Sequence, residues 1–258
     1  EFEEAFAKYC GDEYGVAATT GTAALHLALT CLDIEKGDEV ITTPLSCVAT
    51  TNPIIYLNAK PIFADVEPET LNIDPKKIKA KIIPKTKAIL PVHVFGHPVD
   101  MDPMTEIAEK SDLPIIEDAA QAHGAKYKGK RVGAFGKISC FSFYADNGIT
   151  TVEGGMALTD DAEFADKMRL LRSFGMTKQE KFYHPVLGYN YKMSDIQAAI
   201  GLVQLQKLDD YIQHRRQNIK YLREQINNPD LTLPSEKSYA FNVYYVCHIL
   251  AKKEKDKD

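Results

Sequence analysis

Short runs of β-branched and apolar residues alternate with helical stretches along the first part of the chain. The predicted strands cover residues 15–18, 39–42, 61–64, 87–92, 114–117 and 138–143. The predicted helices between them cover residues 22–32, the stretch around 49–57, and residues 104–111. This alternation is typical of an α/β domain with a mostly parallel sheet flanked by helices. Because ligands bind at the carboxyl ends of strands in such sheets, the residues that follow each strand are the first candidates for a site.

The pattern changes after residue 193, where apolar residues recur at steps of three and four. This spacing predicts one long helix, on the residues Ile196, Ala199, Ile200, Val203, Leu205, Leu208 and Ile212. The Asn-Asn-Pro-Asp cluster at 227–230 breaks it, and residues 239–250 are predicted to be rich in strands. We therefore predict a large domain over residues 1–228, including the long helix. Residues 229–258 are predicted to begin an incomplete, smaller α+β C-terminal domain.

Composition excludes several classes of protein. The chain has 258 residues, 45% of them hydrophobic, and a net charge of -5 without a basic stripe, which favours a globular protein and no nucleic-acid partner. No apolar run is long enough to cross a bilayer, so we predict no membrane partner. The five cysteines lack the CxxC spacing of a metal site, and their odd number predicts reduced thiols, no bound metal and a cytoplasmic location.

The first candidate site follows the first predicted strand. Residues 19–24 (Thr-Thr-Gly-Thr-Ala-Ala) open a helix, so the free N–H groups of its first turn and the Thr22 hydroxyl point at one spot. Such a spot suits a phosphate group. A Gly-Thr turn is also an ordinary helix N-cap, and this stretch alone fits both interpretations.

The second candidate is an acidic pair in residues 115–124 (Ile-Ile-Glu-Asp-Ala-Ala-Gln-Ala-His-Gly), at the carboxyl end of a buried strand. An aspartate at position 118 can hold a protonated ring nitrogen and keep the ring cationic, which makes the ring a better electron sink. Gln121 can bond a ring hydroxyl. The alternative is that Asp118 caps a following helix.

The third candidate covers residues 140–156. A strand ends in Ser142, a turn follows, and a Gly-Gly pair at 154–155 begins another strand. In isolation this stretch fits a hairpin.

In this order, the three stretches resemble the DegT/StrS-type sugar aminotransferases, which are fold type I pyridoxal-phosphate enzymes. The resemblance extends to residues 91–97 (PVHVFGH) and 188–199 (GYNYKMSDIQAA) and covers essentially the whole chain. It implies the fold type I transferase architecture and a cofactor, pyridoxal 5'-phosphate or pyridoxamine 5'-phosphate. It also implies a nucleotide-linked 4-keto or 3-keto sugar as substrate, with glutamate as the amino donor.

The resemblance also implies roles for individual residues. The phosphate ligands fall on Gly21, Thr22, Ala23 and Ser142. Asn190 is expected to reach the phosphate from a second subunit, which implies a homodimer with shared active sites. Asp118 falls at the position of the ring-nitrogen carboxylate, and Gln121 lies near the ring oxygen.

Two positions depart from the family pattern. The aromatic residue that stacks on the cofactor ring is replaced by Cys47, whose thiol can still contact a ring. The lysine that links to the cofactor lies five residues after the serine in the family, and Asn147 stands at that place. Lys137 does not fit the register, and Lys192 belongs to a motif of its own.

Asparagine has no nucleophilic amine and no usable basicity near neutral pH. We therefore expect Asn147 to leave cofactor binding to the phosphate cradle and Asp118, and to remove ordinary transamination. Three readings follow: an aminotransferase homologue that lost its lysine, a sugar 3-dehydratase-like enzyme that uses pyridoxamine phosphate, and a non-catalytic partner or regulatory subunit. The dehydratase reading requires Asp146, Tyr144 or His97 to move the proton.

Overall fold

The computed structural model describes residues 1–177 and 182–252. Its helices are α1 Phe2–Cys10, α2 Gly21–Cys31, α3 Asn52–Tyr56, α4 Pro75–Ile78, α5 Met101–Lys110, α6 Ala162–Arg172, α7 Asp195–Leu205 and α8 Leu208–Gln225. Its longer strands are β1 Tyr14–Ala18, β2 Glu39–Thr42, β3 Lys60–Phe63, β4 Thr86–Leu90, β5 Ile116–Asp118, β8 Ile138–Ser142 and β9 Gly155–Thr159. Two-residue strands are β6 Lys126–Tyr127, β7 Lys130–Arg131, β10 Leu231–Thr232, β11 Ala240–Phe241 and β12 Leu250–Ala251.

The longer strands form the central sheet. One part has the strand order β1-β9-β8-β5, and the other has the order β3-β2-β4. Parallel bridges from Ile89 to Ile115 and from Val92 to Asp118 connect β4 to β5, so the two parts continue into one another. Strand β9 runs antiparallel to β1 and β8, whereas the other pairings are parallel. The predicted α/β class with a mostly parallel sheet is confirmed.

Helix α2 is buried on nearly every side and lies at the centre of the fold. It packs against β8, β9, α3 and α6, which explains why its sequence is apolar all round rather than along one stripe. The helix begins at Gly21, directly after β1, and its N-cap Thr20 accepts a hydrogen bond from the Ala23 N–H at 3.0 Å. The sheet and α2 together therefore fix the position of the first candidate phosphate site.

The prediction of one long helix after residue 193 is wrong at one point, because α7 ends at Leu205 and α8 begins at Leu208. The apolar spacing continues across the break, since Leu205, Leu208 and Ile212 all pack on the same hydrophobic cluster. The sequence pattern therefore showed no interruption. The cluster at 227–230 does follow the helix end, at Gln225.

Residues 239–250 are not rich in strands. Only the two-residue strands β11 and β12 form there, the first paired with β6 and the second with β10. Between them, the Val243 N–H donates to the Gly96 carbonyl at 3.1 Å and the Tyr245 N–H to the Phe95 carbonyl at 3.0 Å. These bonds use the backbone groups that a longer strand would pair within a sheet. The boundary at residues 228 and 229 stays a prediction.

Candidate active site

A cavity of about 480 Å³ opens where the chain leaves the carboxyl ends of β1, β2, β5 and β8. This is the edge at which ligands bind in parallel sheets. The residues that line it are Thr20, Gly21, Thr22, Leu25, Ser46, Cys47, Ala49, Thr50, Asp118, Ala120, Gln121, Ser142, Tyr144, Asp146, Asn147, Glu153 and Tyr245. The cavity thus brings together most of the residues predicted from the sequence.

Gly21 and Ser142 lie close together in the wall of this cavity. A Cβ atom on Gly21 would lie 2.6 Å from the Ser142 Cβ, closer than two side chains can approach, so the start of α2 requires glycine here. Thr22 lines the same wall. Ala23 does not line this wall. Its N–H donates to the Thr20 hydroxyl, so it is not available to bind a phosphate as predicted.

Ser142 is held by the loop that follows β8. The Asn147 side-chain amide donates to the Ser142 hydroxyl at 2.7 Å and to the Ser142 carbonyl at 3.0 Å. The Tyr144 N–H also donates to the Ser142 hydroxyl, at 3.3 Å. Asn147 is half-buried, and its side chain contacts Ser142. From the sequence, Ser142 was assigned to the phosphate site and Asn147 to the position of the linking lysine; in the structure the two residues are hydrogen-bonded to each other.

Asp118 lies in the cavity wall with 4% of its surface exposed. Its carboxylate accepts hydrogen bonds from the Thr50 hydroxyl at 2.7 Å and from the Ala120 N–H at 3.2 Å. Burial raises the pKa of Asp118, and the bond from Thr50 only partly opposes this. A turn, not a helix, follows Asp118, so the alternative of a helix cap is wrong.

Gln121 also lines the cavity, and its amide oxygen accepts the Phe95 N–H at 2.7 Å. This bond leaves the Gln121 amide N–H groups as the donors for a ligand oxygen. Phe95 has a positive φ of 54°, an uncommon conformation. Its main chain is held on one side by the Gln121 side-chain oxygen, which accepts the Phe95 N–H, and on the other by the Tyr245 N–H, which donates to the Phe95 carbonyl.

Several lining residues were not assigned to the site from the sequence, and Thr50 and Tyr245 are two of them. Thr50 lies in a short 3₁₀ turn and carried no motif. Tyr245 is remote in sequence from every other lining residue, and only the backbone pairing with Phe95 brings it to the cavity. Burial, followed by the charge of Asp146, raises the pKa of Tyr245 to about 12.

The lining contains neither lysine nor any other basic side chain among the described residues. Lys137 lies elsewhere, in an ion pair with Asp161 at 2.9 Å, and Lys192 donates to Asn190 at 2.7 Å. Cys47 lines the cavity and is exposed. In the described part of the cavity lining, no lysine lies beside Asn147.

Other predicted residues lie apart from this cavity. Asn190 is exposed and outside the lining. His97, a candidate proton carrier in the dehydratase reading, is buried and bonded to Asn72 and to the Lys237 N–H, so it is excluded from that role. Asp146 and Tyr144, the other two candidates, line the cavity.

Within residues 1–177 and 182–252, no group of three or more metal-ligating side chains is arranged to hold an ion. Within the same ranges, no helix has the length and apolar character needed to cross a membrane.

Comparison with known proteins gives the family. The model of the DegT/DnrJ/EryC1/StrS aminotransferase family matches residues 1–258. The chain belongs to this family. The GDP-perosamine synthase of Caulobacter vibrioides is 46% identical over 226 residues, which cover 88% of this chain and 61% of that protein. The GDP-perosamine synthase of Escherichia coli O157:H7 is 42% identical over 258 residues, 100% of this chain and 71% of that protein.

Solved structures of family enzymes share the fold. S. venezuelae DesV, in complex with a ketimine intermediate, superimposes with a TM-score of 0.94 at 34% identity, covering 99% of this chain and 69% of DesV. The PMP form of Spr1654 from Streptococcus pneumoniae gives a TM-score of 0.93 at 25% identity, covering 97% of this chain and 69% of Spr1654. The family is thus one of sugar aminotransferases that carry pyridoxal or pyridoxamine phosphate.

Proposed function

We propose that this chain is the cofactor-binding part of a nucleotide-sugar aminotransferase homologue that holds pyridoxal phosphate or pyridoxamine phosphate without a covalent link. One observation carries the proposal: the same cavity is lined by the predicted phosphate ligands Gly21, Thr22 and Ser142, by Asp118, and by Asn147 in place of the linking lysine. These residues support a cofactor site in which the phosphate and ring ligands are retained at least in part and the linking amine is replaced by an amide.

The cavity fits the phosphate of this cofactor. The first turn of α2 opens into it with the positive end of the helix dipole and with the N–H groups of Gly21 and Thr22, which find no partner among the described residues. Gly21 keeps this wall free of a side chain that would strike Ser142. The hydroxyls of Thr22 and Ser142 add donors, so a dianionic phosphate can be held although none of the described residues that line the cavity is a cation.

The cavity also fits a pyridine ring. Asp118 is buried with few partners, so its carboxylate is placed to keep a proton on a ring nitrogen by charge and hydrogen bonding. The amide N–H groups of Gln121 are free for the ring oxygen. When bound, the cofactor supplies an electron sink for chemistry at the carbon attached to nitrogen.

Asn147 removes two functions that the lysine would supply. It cannot bond covalently to the cofactor, and it cannot carry a proton between carbon atoms near neutral pH. Ordinary transamination is therefore lost. A second candidate function, dehydration of a sugar with pyridoxamine phosphate, draws support from Asp146 and Tyr144, two groups in the lining that can carry a proton.

For the substrate, we propose a keto sugar linked to GDP, because the two relatives named above are GDP-perosamine synthases. Glutamate is the proposed amino donor. A homodimer is proposed because Asn190 is exposed and lies outside the lining of its own cavity, and because α7 carries an exposed apolar stripe of Ile196, Ile200 and Val203. The proposed compartment is the cytoplasm, in keeping with five free cysteines.

The test restores lysine at position 147. Wild type and Asn147→Lys are incubated with pyridoxal phosphate, reduced with borohydride and mapped by peptide mass spectrometry. We expect a fixed cofactor at position 147 in the variant only, together with glutamate-dependent transamination of a GDP-linked keto sugar. Surface lysines modified equally in both proteins serve as the internal control.

Each alternative gives a different result. Turnover of a GDP-linked keto sugar by the wild type with pyridoxamine phosphate, without glutamate, supports the dehydratase. If neither protein takes up pyridoxal phosphate or pyridoxamine phosphate, the proposed function is wrong and the non-catalytic partner is favoured.

A further inference from the structure

We propose that Asn147 is a positioning residue for the phosphate cradle: it turns the Ser142 hydroxyl into a donor aimed into the cavity. The inference rests on the proposed function, because it assumes that the cavity holds a phosphate-bearing cofactor. In this role Asn147 strengthens non-covalent binding at the position where the lysine is lost.

The hydrogen bonds to Ser142 carry the argument. A serine hydroxyl accepts at two lone pairs and donates one proton. The Asn147 amide nitrogen donates to this hydroxyl at 2.7 Å, and the Tyr144 N–H donates to it at 3.3 Å. Both acceptor positions are thereby used. The proton of Ser142 is left to donate to another group, and the hydroxyl lies in the cavity wall.

The Asn147 amide is itself fixed. Its second N–H donates to the Ser142 carbonyl at 3.0 Å, so the nitrogen holds the main chain and the side chain of one residue together. Residues 142–147 are closed into a small ring by these bonds. The loop therefore presents Ser142 in one orientation, and a phosphate entering the cavity meets a donor that needs no reorganisation.

The orientation matters here because the described part of the lining lacks a cation. A phosphate in this cavity depends on neutral donors and on the α2 N-terminus. Each neutral hydrogen bond contributes modestly, so the loss of one oriented donor is measurable as a fold-change in affinity.

The experiment measures dissociation constants by equilibrium dialysis for pyridoxamine 5'-phosphate and for pyridoxamine, which lacks the phosphate. Neither has an aldehyde, so surface lysines do not react with them. The proteins are wild type, Asn147→Ala, Asn147→Asp, Ser142→Ala and the Asn147→Ala/Ser142→Ala double variant. Asn227→Ala, at an exposed asparagine, is the matched control.

We expect Asn147→Ala to weaken pyridoxamine phosphate about threefold to tenfold and to leave pyridoxamine unchanged. Asn147→Asp is nearly isosteric, but its carboxylate accepts the Ser142 proton and repels the phosphate, so we expect a larger loss, above about tenfold. The double variant should bind as Ser142→Ala does, because Asn147 acts through that hydroxyl.

Equal losses for both ligands, or additive losses in the double variant, overturn the inference and make Asn147 a general structural residue. Tight phosphate-dependent binding by the wild type with no change in Asn147→Ala also overturns it, while the proposed function stands. If the wild type binds neither ligand, both the proposed function and this inference are wrong.

Discussion

Glu117 and Asp118 are neighbours on β5, and their side chains face opposite sides of the sheet. Glu117 is fully buried and accepts four hydrogen bonds, from His93 at 2.9 Å and from the N–H groups of Gly133, Phe135 and Gly136 at 2.6–2.9 Å. Burial by itself raises the pKa of Glu117, but the bond from His93 and those from the backbone outweigh it, so the pKa is lowered.

Among the described residues, the carboxylate of Asp118 accepts hydrogen bonds from Thr50 and Ala120 alone, and burial dominates, so its pKa is raised. Two adjacent buried carboxylates therefore differ in the number of hydrogen bonds that they accept from the protein. Glu117, whose acceptor positions are filled by protein donors, stabilises the fold. Asp118 accepts fewer hydrogen bonds and can still accept one from a ligand, at the edge of the sheet where the cavity opens.

The largest expected effect on stability comes from disrupting the hydrogen-bond network of Glu117. Glu117→Gln removes the charge that three N–H groups and His93 share, and it places a donor among donors. Removing one partner of a buried network costs about 3–5 kcal/mol in the free energy of unfolding. Urea denaturation followed by circular dichroism measures this loss. Glu224→Gln, at an exposed position on α8, should leave the midpoint unchanged.

A smaller effect is expected in the loop on the cavity side. Val152 has a positive φ of 71° and is exposed, a conformation that a β-branched side chain disfavours. Val152→Gly should raise the free energy of unfolding by about 1 kcal/mol, measured by the shift in urea midpoint. Val152→Ala keeps a Cβ and should gain less; an equal gain would show that the backbone conformation is not the cause.

The smallest expected effect at neutral pH is that of Asp118→Asn, less than about 1 kcal/mol, because the lost bonds are offset by relief of a buried charge. The two carboxylates should then differ in the sign of their pH dependence. The raised pKa of Asp118 gives stability that is present below its unfolded pKa and lost as pH rises through the folded value. The free energy of unfolding of Asp118→Asn, relative to that of the wild type, should therefore increase as the pH rises.

Glu117 should show the opposite dependence. Its lowered pKa gives stability that is present above its unfolded pKa and lost as pH falls through the folded value. Wild type and Glu117→Gln should converge in acid. Parallel pH profiles of unfolding for Asp118→Asn and Glu117→Gln would contradict the division of roles between the two residues.

The sequence predicted best those features that depend on neighbours in the chain. A strand, a Gly-Thr turn and a helix are local events, so the position of Gly21 at the start of α2 and of Asp118 at the end of β5 followed from patterning. The break between α7 and α8 was not predicted, because both helices bury the same apolar face. Apolar spacing reports burial and does not report continuity of the backbone.

Features that depend on contacts between residues distant in the chain, or on the path of a loop, could not be predicted from the sequence pattern. Thr50 becomes the partner of Asp118 only because β2 and β5 end at the same edge of the sheet. The bonds from Asn147 to Ser142 depend on the course of the loop that follows β8. From the sequence, Asn147 was identified only by the amine that it lacks. The structure shows that its side-chain amide donates hydrogen bonds to Ser142.

The backbone bond from Tyr245 to Phe95 has a consequence for synthesis of the chain. The strands of the central sheet are complete once Thr159 has been made, and the cavity still lacks its last wall at that stage. At about 5–20 residues per second, Tyr245 leaves the ribosome several seconds later. During this interval the nascent chain can form its sheet with the ligand cavity open on one side, so the final shape of the binding site is set after the sheet has formed.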